Sequence, residues 1–156
     1  MRVAVDAVVE HDGQILLIEY DDAQLGRHWG LPGGGVEPAE SIHQALQREV
    51  LEETAHDFTP TAVVGVYLNR FRRTRTGDDI TYLRFAFAGQ LGTHHSWRAL
   101  DEGIVRTVWM TPEEIRATRD RHRSPLLLRC LDDYLAGQRF SLNLVHTDDS
   151  VLQPNG

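Results

Sequence analysis

Residues 34–56 read GGVEPAESIHQALQREVLEETAH, and their spacing decides how the chain is to be understood. Five residues separate Gly34 from Glu40, and seven separate Glu40 from Arg48-Glu49. Val50 and Leu51 then lead to Glu52-Glu53. Ser41 is a good helix cap, with Gln44 three residues on as in a capping box. Ile42, Ala45, Leu46, Val50 and Leu51 mark the buried side of a helix running to about Thr54. On it Glu49 lies three residues from Glu52 and four from Glu53, so three carboxylates share a face within reach of a common point. Like charges so close repel, and an all-oxygen cluster suits a hard divalent cation, Mg2+ first and Mn2+ as a substitute. Such a cation in turn seeks phosphate oxygens. A solvated, charge-laced helix is the plainer account of QREVLEET, but it leaves Pro32-Gly33-Gly34-Gly35 unexplained.

This arrangement resembles the signature of the Nudix family of diphosphate hydrolases. The family form is glycine, five residues, glutamate, seven residues, Arg-Glu, an aliphatic, any residue, Glu-Glu, any residue, glycine and an aliphatic. Glu40, Arg48, Glu49, Glu52 and Glu53 match every charged position, whereas Ala55 replaces the final glycine and His56 the aliphatic. The resemblance implies an α/β fold, the Nudix α/β/α sandwich with a mixed sheet. It implies Glu49, Glu52 and Glu53 as metal ligands, with the Gly34 carbonyl a further one, and catalytic roles for Arg48, Glu49 and Glu53. Arg48 would hold Glu49 ionised and oriented. Glu40, near the positive end of the helix, has a positional role. In the family, the base that activates water is either the first glutamate of Arg-Glu or an acid from a distant loop. The loop candidate here is Glu102 in LDEGIVRTVWM, with Asp101 second; Asp-Glu-Gly is also ordinary turn chemistry. Alanine just past a helix end adopts the left-handed conformation at a cost that glycine avoids. His56 there is read as structural rather than as a metal ligand.

The 156 residues suit one domain with a substantial core, taken as residues 1–146, with 147–156 a polar, frayed tail. The longest apolar runs, ILLI and SPLLL, are too short to cross a bilayer, and no signal peptide is recognised. The lone Cys130 excludes an internal disulfide, so a cytoplasmic location is expected. A net charge of −7, with His neutral, argues against a nucleic-acid polymer as partner. It leaves room for a small phosphorylated substrate held through cation bridges. The protein is expected to be a monomer or a small homo-oligomer without membrane contact.

Alternating apolar residues predict strands at 2–9, 14–20, 29–31, 58–68, 80–90 and 104–110. His11-Asp12-Gly13 is a turn, 21–27 a loop, and 69–79 a basic hairpin loop. Thr111-Pro112 and Ser124-Pro125 open helices, the second stopped by Gly137. Period two puts Tyr82, Arg84 and Ala86 on one face and Leu83, Phe85 and Phe87 on the other. Arg84 therefore wants an anion, either a substrate phosphate or a neighbouring acid. Arg123 stands at a helix N-terminus, which suits an anion or simple capping. Arg70, Arg72, Arg73 and Arg75 could also reach phosphate, and Tyr20 or Trp29 could stack on a ring, although buried aromatics usually belong to the core.

TYLRFAFAGQL, VWMTPEEI and HRSPLLLRCLDDYLAGQRFSLNLV further resemble the NudJ-type branch of the family. That resemblance implies a metal-dependent hydrolase of nucleoside tri- and diphosphates or thiamine-pathway pyrophosphates, releasing orthophosphate. WGLPGGGVE looks more like general MutT-type sequences, which release pyrophosphate. A Nudix-fold binding module without catalysis is the rival outside enzymes.

Overall fold

The computed structural model describes residues 1–73 and 76–153. Its strands are β1 (Arg2–Val8), β2 (Glu10–His11), β3 (Gln14–Asp22), β4 (Gly26–Gly30), β5 (Gly33–Gly35), β6 (His56–Arg72), β7 (Asp79–His94) and β8 (Ile104–Met110). Its helices are α1 (Ile42–Thr54), α2 (Pro112–Ala117), α3 (Leu126–Leu135) and a short α4 (Asp149–Leu152), the last within the segment read as a frayed tail.

One sheet runs β5-β1-β7-β6, with β1 parallel to β7 and the other pairs antiparallel. The second is built on β3, which pairs with β2, β4 and β8. Alternation along β1 and β7 sends side chains to two cores. Val5, Ala7 and Phe87 pack with Ala45, Leu46 and Val50 of α1. Val8, Ala86 and Ala88 pack with Ile115 of α2 and Leu127, Cys130 and Leu131 of α3. Helices thus cover both faces of a mixed sheet, and the α/β/α sandwich follows from two-residue alternation meeting helical stripes.

The strands extend further than the sequence suggested. Asp22 accepts the N–H groups of Gln24 and Leu25, and this tight turn lets 26–30 pair with β3 where a loop to residue 27 was expected. Part of the expected basic loop 69–79 is strand, namely residues 69–72 and 79. Arg70 donates twice to Asp79 (2.8 and 2.6 Å), and that cross-strand pair carries the ladder to Arg72. Thr74 and Arg75 lie outside the described residues.

The capping box is present, with Ser41 and Gln44 bonded reciprocally. Ala55 ends α1 at φ 58°, ψ 26°, in the left-handed conformation, so the helix stops where the family's glycine would stop it. His56 then starts β6, stacks on His94 at 4.5 Å between centroids and bonds the Thr54 carbonyl, a structural placement.

Glu19, buried on β3, ties that strand to β8 through Arg106 (2.8 Å) and to β4 through Arg27 (3.5 Å). The hydrogen bond from Arg106 chiefly holds its carboxyl below the ordinary value of 4.5. A depressed acid stabilises the fold above its ordinary value, and that contribution fades as pH falls through the folded one. Glu19→Gln is expected to lower Tm at pH 7 by roughly 2–4 °C, equivalent to about 1 kcal/mol. The gap between the two proteins should narrow progressively in thermal melts as pH falls below 4.5.

Candidate active site

Arg48 organises the acidic helix. Its Nε and Nη2 donate to the two oxygens of Glu40 at 2.7 and 3.0 Å. Nη1 reaches Glu49 (3.0 Å) and Glu52 (3.2 Å), and Nη2 also reaches the Gly35 carbonyl (2.9 Å). One guanidinium therefore fastens the glycine loop to α1 and separates three carboxylates. Glu40 works mainly as its partner, accepting the Glu37 N–H as well, and Arg48 holds its carboxyl below the usual range. This is a larger role than helix-end placement.

Glu49 lies under the loop. A Cβ on Gly34 would come within 2.5 Å of the Glu49 carboxylate, so only glycine allows the backbone this close. Burial pushes Glu49 upward by more than Arg48 pulls it down, so Arg48 orients this carboxyl but does not hold it below the ordinary value, as its adjacency suggested. Burial likewise raises Glu52, and Asp101 adds to the rise; the Asp101 N–H also donates to the Glu52 carbonyl (3.2 Å). Glu53 is turned elsewhere. It accepts the Tyr20 hydroxyl (2.5 Å) and the Gly33 N–H (2.6 Å), and burial lifts it to about 8.

The three glutamates share a helix face, but their carboxylates do not meet at one point. Among the described residues no three acidic, imidazole or thiol groups converge as a ready metal cage. Glu53 is held apart by donors of its own, the Tyr20 hydroxyl and the Gly33 N–H. The donor chemistry nonetheless suits a hard dication: the ligand candidates are oxygens throughout, and Glu49 and Glu52 stay raised despite Arg48. Between the two loop acids, Asp101 stands beside Glu52, while Glu102 lines a cavity of about 660 Å3.

Arg84 and Arg123 line that same cavity. Arg84 faces Asp6 of β1 at 3.5 Å, so the neighbouring acid anticipated for it is present. Burial raises the Asp6 carboxyl, with Arg84 and Arg123 pulling against it. Arg123 lies 4.2 Å above the Tyr20 ring, which also stacks on His28. Ser124 accepts the Leu126 N–H just ahead of α3, whose cap position is Pro125. Trp29 packs against the α3 core instead of lining the cavity. Sequence reasoning missed Asp6 and the bond between Tyr20 and Glu53. An acid inside the apolar run VAVDAVV was a usable signal for the first.

The comparisons agree with this geometry. The family model described as the NUDIX domain matches residues 1–130, and the chain belongs to the Nudix family. It is a Nudix hydrolase. It is similar to Phosphatase NudJ of Escherichia coli strain K12, with 29% identity over 144 residues, 92% of this chain and 90% of that protein. It resembles a NUDIX hydrolase structure from Nitrosomonas europaea at 42% identity, with TM-score 0.85 and 95% and 97% of the two chains covered. The solution structure of the E. coli ORF135 protein is similar at 28% identity and TM-score 0.60, with 87% and 89% covered.

Two adjacent glycines separate stability from chemistry. A Cβ on Gly33 would run into the Val5 carbonyl oxygen and the Asp6 backbone, neither of which can move without parting β5 from β1. Gly33→Ala is expected to cost about 2–3 kcal/mol in denaturant unfolding. At Gly34 the obstacle is the end of a flexible side chain, so Gly34→Ala should displace Glu49, leave Tm nearly unchanged and lower kcat/KM by roughly 100-fold. Equal losses of stability in the two variants would contradict this assignment.

Proposed function

We propose that the protein is a Mg2+-dependent hydrolase of diphosphate linkages in small molecules, with Mn2+ as a substitute. Its substrates are nucleoside tri- and diphosphates or thiamine-pathway pyrophosphates, and orthophosphate is released. The observation that carries this reading is the Arg48-centred array of Glu40, Glu49 and Glu52 against the glycine loop, on a helix whose Glu53 bonds Tyr20 in the wall of a cavity also lined by Arg84 and Arg123. The similarity to Phosphatase NudJ supports the choice of product.

In this account Glu49 and Glu52, with the Gly34 carbonyl, would hold the dication, and Glu53 would join them on leaving Tyr20 and Gly33. When bound, it neutralises charge developing on the phosphoryl oxygens and lowers the pKa of a water. Arg48 keeps Glu49 and Glu52 in place, and Gly34 leaves room for the Glu49 carboxylate. Glu102, from the cavity wall, or Glu49 takes the proton of the attacking water. Asp101, beside Glu52, is the second loop acid. Arg84 and Arg123 bind the substrate.

The test is a panel of nucleoside di- and triphosphates and thiamine diphosphate, with chelator-stripped protein, Mg2+ added or withheld, and both phosphate products measured. Orthophosphate release that requires Mg2+ and falls by roughly 100-fold in Glu49→Gln is expected. Pyrophosphate as product would move the enzyme to the MutT-like reaction. No release of either from folded protein would leave a binding module.

A further inference from the structure

One face of the β6–β7 hairpin carries a polar arrangement of which the hydrolytic reading uses only Arg84. Asn69 and Tyr82 sit opposite one another across the two strands, and Tyr67 is opposite Arg84. Period two therefore puts Asn69, Phe71, Tyr82 and Arg84 on a common face, and all four line the cavity of about 660 Å3. Asn69 and Arg84 are diagonal neighbours, at a backbone separation of roughly 7–8 Å for that relation. A cavity of this size suits a ligand well beyond a bare phosphate.

Two polar atoms here are buried without a hydrogen-bond partner among the described residues: Asn69 Oδ1 and Arg84 Nη1. Buried polar groups are ordinarily satisfied, so an unpartnered pair in one cavity wall points to a ligand that satisfies both. Arg84 is held in place: its Nε faces Asp6 at 3.5 Å, and its guanidinium lies over the Tyr82 ring at 5.2 Å. Nη1 is thereby a fixed donor. Asn69 Oδ1, in the same cavity wall, is an acceptor. A phosphate has only acceptor oxygens and would answer Arg84 while facing the Asn69 oxygen unfavourably. A nitrogen heterocycle whose edge carries an N–H donor next to a ring or carbonyl acceptor answers both, and the rings of Phe71 and Tyr82 provide an apolar surround.

We infer that Asn69 and Arg84 together read the edge of a nitrogen heterocycle, a nucleobase or an aminopyrimidine, at the end of the substrate away from the diphosphate. This deepens the proposed function, on which its description of the substrate rests. It makes Asn69 a specificity-determining residue and assigns Arg84 to the ring rather than to a phosphate.

Binding of product-like monophosphates tests it without turnover, so its failure and that of the hydrolytic reading are distinguishable. Full-length protein is titrated calorimetrically with CMP, AMP and ribose 5-phosphate. At least one of the two nucleotides should bind about tenfold or more tighter than the ringless sugar phosphate. Asn69→Leu should remove most of that gap while changing ribose 5-phosphate binding less, and Asn69→Ser serves if the leucine variant fails to fold. Equal affinities for all three ligands in the native protein would overturn the inference. So would an equal weakening of all three by the Asn69 substitution, or no saturation by any of them up to millimolar concentration.

Discussion

The site depends on one cation placed among carboxylates. Arg48 engages Glu40 through two bonds, reaches Glu49 and Glu52, and holds the Gly35 carbonyl. Those contacts join residues before the helix, along the helix and within the glycine loop. A lysine could supply the charge but not a planar fork able to meet several acceptors in fixed directions. The spacing of Glu40, Arg48, Glu49 and Glu52 is thus a geometric requirement. It lets one guanidinium satisfy partners separated by more than two turns of chain, while Gly33 and Gly34 bring the loop backbone against the acids.

The cavity turns this acidic helix into half of a two-sided site. Arg84 and Arg123 line it, although the chain as a whole is acidic. Net charge therefore describes this protein poorly at the distance where chemistry occurs; the local arrangement governs. Tyr20 links the halves, with its hydroxyl on Glu53 and its ring beneath Arg123. Glu53, lifted to about 8 by burial, is an acid kept at a site that stability alone would give to a neutral residue.

The glycine loop, the capped helix and its acidic face were legible in the sequence because each depends on local spacing. The sorting of Phe85 and Phe87 from Arg84 and Ala86 was legible for the same reason, since alternation is a property of the strand itself. The length of the hairpin was not: residues 69–72 join the ladder because Arg70 meets Asp79 across the strands, a contact that local composition does not announce. The separation of Glu53 from Glu49 and Glu52 also escaped sequence reasoning, because its partners Tyr20 and Gly33 lie 33 and 20 residues away. Asp6, which faces Arg84 from a strand parallel to its own, belongs to the same class of long-range contact.

The central claim is that the carboxylates gathered by Arg48 take up a divalent cation. Its most direct measurement is a titration of chelator-stripped protein with Mn2+, followed by the electron paramagnetic resonance of the free ion. Saturable uptake that Mg2+ competes away, and that is lost when Glu49 and Glu52 are both changed to glutamine, is the predicted result. Absence of uptake by the native protein, or uptake undiminished in the double variant, would contradict the account.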